Sequence, residues 1–131
     1  MIVLDTHSLV WWVSGAPMLS RQAKAVIKKE QDGGEIIVSS ISAWEIALLV
    51  QRGRLLLAMD VQSWLATVAR IDAIKFVPVD VEIATKSVDL PATFHSDPAD
   101  RMIVATARKF AAPLVTKDEK IHAYAHVKTI W

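Results

Sequence analysis

The sequence predicts an α/β fold, a three-layer α/β/α sandwich around a four- or five-stranded, mostly parallel sheet. Three observations carry this. Short apolar runs recur along the chain: Met1-Ile2-Val3-Leu4, Glu35 to Ser39, Ile74 to Val79 and Pro113 to Thr116. They lack a polar alternation, so they read as strands buried on both faces. Between them lie stretches with apolar residues at helical spacing, which implies right-handed crossovers and helices on both faces of one sheet. The 131 residues hold no internal repeat, low-complexity tract or linker, so residues 1–131 are expected to form a single domain. A chain of that size buries enough apolar surface to fold without staples.

The elements follow in order. After the first strand, Asp5-Thr6-His7 leads into a short helix over Ser8 to Ser14, broken by Gly15-Ala16-Pro17. Ser20 caps a helix over Arg21 to Gln31, with Ala23, Val26 and Ile27 inward and Lys24, Lys28 and Lys29 outward. Asp32-Gly33-Gly34 ends it. The second strand runs into an apolar helix over Ser40 to Gln51, closed by Gly53. Asp60 caps an amphipathic helix to Arg70, and Asp80 caps another to about Asp89. Pro91 to Ser96 is a loop, and Pro98 to Ala111 a strongly apolar helix. Asp118 opens a short helix, and Val127 to Ile130 is a fifth strand or a tail.

Composition narrows the function. Apolar residues make up 53%, too many for a disordered chain. Without cysteine there is neither a disulfide framework nor a thiolate metal site. No apolar run is long enough to span a membrane, and Met1 to Leu4 lacks the pattern of a signal peptide. A cytoplasmic location is therefore expected. Fifteen basic residues balance fourteen acids, so nucleic acid would be bound through a local patch or through metal ions, not an overall basic field. There is no glycine-rich phosphate loop and no nucleophile elbow.

The acids carry the functional argument. Asp5 ends the first strand, and in a parallel sheet ligands bind beyond the carboxyl ends of strands. Glu45 stands among Trp44, Ile46, Ala47 and Leu48 at the start of the next helix. Asp97 and Asp100 open a buried helix, with Pro98 at its first position. Asp118 follows the fourth strand, beside Thr116. Each has a duller explanation. Asp5, Asp97 and Asp118 suit helix N-caps, and Ser42-Ala43-Trp44-Glu45 matches a capping box. Capping alone does not explain why acids from four segments map to one edge of one sheet. Clustered carboxylates repel unless a cation neutralises them. Oxygen-only ligands point to a hard ion, Mg²⁺ or Mn²⁺, and the chemistry of such a cluster is phosphodiester hydrolysis. His7, His95, His122 and His126 have no partners at metal-ligand spacing and read as surface histidines.

Four motifs resemble the PIN-domain family: Leu4-Asp5-Thr6-His7, Ser42 to Ala47, Asp97 to Ala107 and Leu114 to Asp118. More narrowly, the chain is similar to VapC-type toxins of type II toxin–antitoxin systems, over essentially its whole length. The resemblance implies a metal-dependent endoribonuclease. It places Asp5, Glu45 and Asp100 at the family's three most constant acids, Asp118 at the more variable fourth, and Asp97 at an extra acid of the D-P-x-D-R subfamily. Either Asp97 or Asp100 is then the direct ligand. Thr6 and Thr116 match the hydroxyls that line the site. The family's metal is usually Mg²⁺ or Mn²⁺, its partner a small antitoxin protein, and homodimers are common.

Four cues lie outside those acids. Arg101, Lys117 and Lys120 adjoin the acids in sequence, as RNA contacts or as solvated charges. Trp11 and Trp12 are adjacent, and one narrow helix stripe cannot bury both. One of them is expected to face a partner, in an apolar groove for the antitoxin.

Three rival readings remain. A phospho-receiver wants two adjacent acids after the first strand, but Thr6 follows Asp5. A haloacid-type phosphatase wants D-x-D-x-T, but position 7 is His. A non-catalytic binding module would use the acids only as caps.

Overall fold

Successive residues of a strand face opposite sides of a sheet, and β1 (Ile2–Leu4) is covered on both. Ile2 and Leu4 pack with Leu9, Ile27, Ile46, Trp64 and Val68. Val3 packs into a second cluster with Ile83, Ile103, Val104 and Ile121. The computed structural model describes residues 1–131. After β1 come α1 (Thr6–Ser14), α2 (Arg21–Gln31), β2 (Ile36–Ser39), α3 (Ser40–Gln51) and α4 (Val61–Ala69). Then follow β3 (Ile74–Val77), α5 (Val81–Val88), α6 (Pro98–Lys109), β4 (Leu114–Val115), α7 (Glu119–His122) and β5 (Thr129–Ile130).

The sheet order is β3-β2-β1-β4-β5, and every pairing is parallel. Helices α1, α2 and α4 cover one face, and α5, α6 and α7 the other. This is the expected α/β/α sandwich, and the segment after Val127 resolves as a fifth strand. The chain builds outward from β1 to β3, then returns to place β4 on the other side of β1. That reversal at β1 and β4 is the switch point where an open parallel sheet forms a crevice.

Three boundaries differ from expectation, each for a local reason. Helix α1 begins at Thr6, because Asp5 is its cap. Strand β3 stops at Val77, and the Val79 N–H donates to Ser40 Oγ instead of extending the ladder. Helix α6 stops at Lys109, short of Ala111. Ala111 adopts a left-handed φ of 50°, and the Ala112 N–H reaches back to the Ala107 carbonyl. That is a Schellman closure made without glycine, at a steric cost of about 1 kcal/mol.

Candidate active site

The acids gather where the strands end at the β1/β4 switch. Asp5 directly follows β1 and is 7% exposed. Its Oδ1 accepts the Ser8 N–H at 2.9 Å, capping α1. Ser8 Oγ and the Asp5 N–H both donate to the Val115 carbonyl, at 3.0 and 3.2 Å, which ties this turn to β4. On the β4 side, the Thr116 hydroxyl accepts the Asp118 N–H at 3.1 Å and hydrogen-bonds Asp5. Asp118 caps α7 through Oδ1, accepting from the Lys120 and Ile121 N–H groups.

Glu45 arrives by a different route from the one the sequence suggests. The capping box over Ser42 to Glu45 does not form. Helix α3 spans Ser40–Gln51, as the sequence indicates, and Ser39 is its cap, accepting the Ile41 N–H at 3.2 Å. With the helix starting at Ser40, Ser42 and Glu45 lie within it, on the side facing α1. There Thr6 Oγ1 donates to Glu45 Oε1 at 2.5 Å and lies 2.9 Å from Ser42 Oγ. The residue after Asp5 thus holds Glu45 beside it. On α6, Asp97 is the cap, and its Oδ1 accepts the Asp100 N–H at 2.9 Å. The caps foreseen for Asp5, Asp97 and Asp118 all form. Capping and clustering are compatible, since Asp97 and Asp118 cap through Oδ1 and both residues also line the cleft.

All five acids line one open cleft of about 510 Å³, and Glu119 joins them there. The remaining wall is Thr6, His7, Trp11 and Lys117. Of these, Glu119 had only its place beside Asp118 as a sequence signal. Every Lys or Arg ion pair in the chain lies elsewhere, on Glu35, Asp80 and Glu82. The acids therefore face one another without a Lys or Arg ion pair, and burial with this crowding raises the proton affinities of Asp5, Glu45 and Asp100. Asp100 is pushed up to about 7 by burial, then by the charges of Asp97, Asp118, Glu45 and Asp5. Burial raises Asp5 against the hydrogen bonds from Thr116 and Ser8. Burial also raises Glu45, opposed by the Thr6 hydrogen bond and aided by Asp97. The carboxylates are spread around the cleft, and no three of them close to coordination distance.

Two sequence readings are corrected here. Arg101 is neither an RNA contact nor a solvated charge. Its guanidinium donates to the carbonyls of Ser87, Val88, Phe94 and His95, pinning the 87–95 segment to α6. Of the four histidines read as surface groups, His7, His122 and His126 are exposed, and only His95 is not. His95 is half-buried, with Nε2 3.2 Å from Asp100 Oδ2 but off hydrogen-bond geometry. The His122 ring bridges the Thr116 carbonyl and the Thr129 hydroxyl, joining α7 to the last two strands. His7 lines the cleft.

A sequence signature described as "PIN domain" matches residues 2–127. The chain belongs to the PIN-domain family. It is 36% identical to "Ribonuclease VapC22" of Mycobacterium tuberculosis (strain ATCC 25618 / H37Rv), across 99% of this chain and 98% of that protein. Solved structures share the PIN fold at lower identity. A toxin–antitoxin complex from Klebsiella pneumoniae superposes with a TM-score of 0.69 at 18% identity, covering 100% of this chain and 97% of that one. VapC20 of Mycobacterium tuberculosis, described as a sarcin–ricin loop cleaving toxin, superposes with a TM-score of 0.63 at 12% identity, covering 98% and 99%. No helix is long and apolar enough to cross a membrane.

Proposed function

We propose that this PIN-domain chain, as one domain over residues 1–131, is the toxin of a type II toxin–antitoxin pair. It is a metal-dependent endoribonuclease that hydrolyses RNA phosphodiester bonds. One observation carries the reading: acids from four segments line one cleft, and no Lys or Arg pairs with any of them. Kinship with a protein named as a ribonuclease, and a fold shared with toxins and a toxin–antitoxin complex, point the same way.

The donor set fits a hard divalent ion. Every donor is oxygen, and burial with mutual repulsion raises the proton affinity of Asp5, Glu45 and Asp100. Such a cluster lacks positive charge, which a proton supplies at low pH and a cation supplies otherwise. Asp5, Glu45, Asp97, Asp100 and Asp118 would hold Mg²⁺ or Mn²⁺. When bound, the ion supplies a Lewis acid that activates water and offsets charge on the phosphoryl oxygens. The protein's own part is orientation. Thr6 fixes Glu45 against the Asp5 turn, and Thr116 fixes Asp5 and the Asp118 backbone together. Asp100 is raised to about 7, so a bound cation would compete with a proton there near neutral pH. The net charge is only +1, so Asp5, Glu45, Asp97, Asp100 and Asp118 holding a cation would give RNA phosphates a positive site that the overall charge does not.

The partners follow from the same reading: an RNA substrate, a cognate antitoxin protein, and a second copy in a homodimer, in the cytoplasm. The deciding experiment is cleavage of a mixed cellular RNA pool by the purified chain with Mg²⁺ or Mn²⁺. Asp5→Asn and EDTA are the controls, and both are expected to abolish cutting. A second reading, a binding module whose acids only cap helices, draws on the caps at Asp5, Asp97 and Asp118. Calorimetric titration with Mn²⁺ separates the two, because caps bind no ion at submillimolar levels.

A further inference from the structure

The cleft is larger than an ion site requires. Its volume of about 510 Å³ far exceeds the roughly 30 Å³ that one water occupies in the liquid. Part of a nucleotide fits beside a metal. The wall is also two-sided. Acids form most of it, while His7, Trp11 and Lys117 form the remainder, and Trp11 is its one hydrophobic side chain.

That side is built as a braced aromatic platform. The Trp131 ring meets Trp11 edge-on, with centroids 5.8 Å apart at 62°. His7 braces Trp11 from the Asp5 turn, at 5.6 Å and 45°. Lys117 Nζ stands 5.9 Å from the Trp11 ring centroid. Trp12 packs on the same core cluster but does not line the cleft. A partly buried indole that lines the cleft beside a lysine matches how single-stranded nucleic acid is held: a base on an aromatic face, a phosphate on a cation.

Resting on the ribonuclease reading, we propose that Trp11 stacks an unpaired base next to the scissile phosphate, with Lys117 on the neighbouring backbone phosphate. The substrate is then RNA whose base at that position is free of a helix, in a loop, bulge or single strand. Stacking tolerates any base, so this contact selects unpaired structure and leaves sequence choice to other residues.

The test keeps every cleft acid, replaces Mn²⁺ by Ca²⁺ to slow cutting, and measures binding by fluorescence anisotropy before any RNA is cleaved. One probe is a labelled 12-nucleotide single-stranded RNA of mixed sequence. The other is the same length of ribose-phosphate carrying abasic sites throughout. Trp11→Leu is expected to weaken binding of the base-bearing RNA roughly 5- to 100-fold and of the abasic strand less than about 2-fold. Trp11→Phe keeps the π face and retains most of the affinity. Lys117→Ala weakens both probes alike. Trp12→Phe, whose melting temperature reports folding, binds like the wild type. Equal losses on both probes, or none from Trp11→Leu, overturn the proposal. Loss of antitoxin binding by Trp11→Leu with RNA binding intact also overturns it, and assigns Trp11 to a protein contact. Cleavage by the wild-type chain is scored separately. Cutting without base-dependent binding sinks the stacking alone. Base-dependent binding without cutting sinks the nuclease reading and leaves the platform.

Discussion

Two groups of acids on this molecule share residue types and local roles yet have opposite electrostatics. Asp80 caps α5, as Asp5 caps α1 and Asp97 caps α6. Asp80 and its neighbour Glu82 face Lys109 at 2.9 and 3.5 Å, and Glu82 also pairs with Lys86. Hydrogen bonds and these lysines hold both carboxyls below the usual range. The cleft acids have no such lysine, and Asp5, Glu45 and Asp100 are raised. Capping therefore does not distinguish a structural acid from a functional one. Burial does, together with the crowding of like charges and the missing counter-charge: exposed Asp60 caps α4 with no lysine partner and is still lowered.

The largest expected effect breaks the comparison outright. Asp5→Asn, Glu45→Gln or Asp100→Asn should lower RNA cleavage by at least about 10²- to 10³-fold, the range for losing a preorganised electrostatic group. Asparagine caps as well as aspartate, and it removes a charge that burial penalises, so Asp5→Asn should melt no lower than the wild type without metal. Asp80→Asn should do the reverse, leaving cleavage within about 2-fold while lowering the melting temperature, since Lys109 loses a partner. Gel-based cleavage rates and thermal melts of the same samples decide it. Equal rates for Asp5→Asn and Asp80→Asn would end the distinction.

Cation titration sharpens the contrast. At a Mn²⁺ concentration about 100 times its dissociation constant, a ligand of the native state adds about 2.7 kcal/mol. For a domain of this size that is roughly 10 °C in melting temperature. Asp100→Asn should lose most of that shift and Asp80→Asn none of it. A Mn²⁺ shift that survives Asp100→Asn would place the ion elsewhere.

Arg101 explains why a cation so close to Asp100 leaves it unneutralised. Its donors go to four carbonyls of the 87–95 segment, which carries His95. Arg101→Ala should cost about 2 kcal/mol, because carbonyls that are mostly part-buried lose charged donors, and should reduce cleavage less than any cleft acid does. A rate loss as deep as that of Asp100→Asn would mean that Arg101 serves the site directly.

How legible this was depended on the range of the signal. Strand runs and cap residues are local, so the sheet, the helices and the segments bearing Asp5, Asp97, Asp100 and Asp118 could be read from the sequence. For Glu45 the sequence points to the right edge on either reading, as a capping-box acid or as a cleft acid, and the structure decides between them. Its capping box fits the sequence, but Ser39, at the strand's end, takes the cap first and turns Glu45 toward Thr6. The roles of Arg101, His95 and Trp11 were not legible, because each depends on how separate elements fold together: the 87–95 carbonyls on α6, the loop turning back on the first turn of α6, and Trp131 packing on α1. Charge balance along the chain likewise says nothing about which lysines reach which acids.

The smallest effect is also the one in which the two groups pull against each other. Asp100 titrates near 7 in the folded chain, well above an unfolded aspartate. Between about pH 4 and 7 the folded state therefore binds a proton that the unfolded chain has released. Stability from this source is present at the low end and lost as pH rises through about 7. Asp5 and Glu45, also raised, act in the same sense. Asp80, Glu82, Asp60 and Glu30 are lowered, so their contribution is present above the unfolded carboxyl range and lost as pH falls through their folded values. Melting temperature in EDTA should thus climb as pH drops from 8 to about 5, then fall below about 4. Saturating Mn²⁺ should remove the upper limb, since the cation takes the proton's place. A metal-free protein that grew steadily more stable from pH 5 to 8 would show that the cleft acids are already neutralised, and the contrast with Asp80 would vanish.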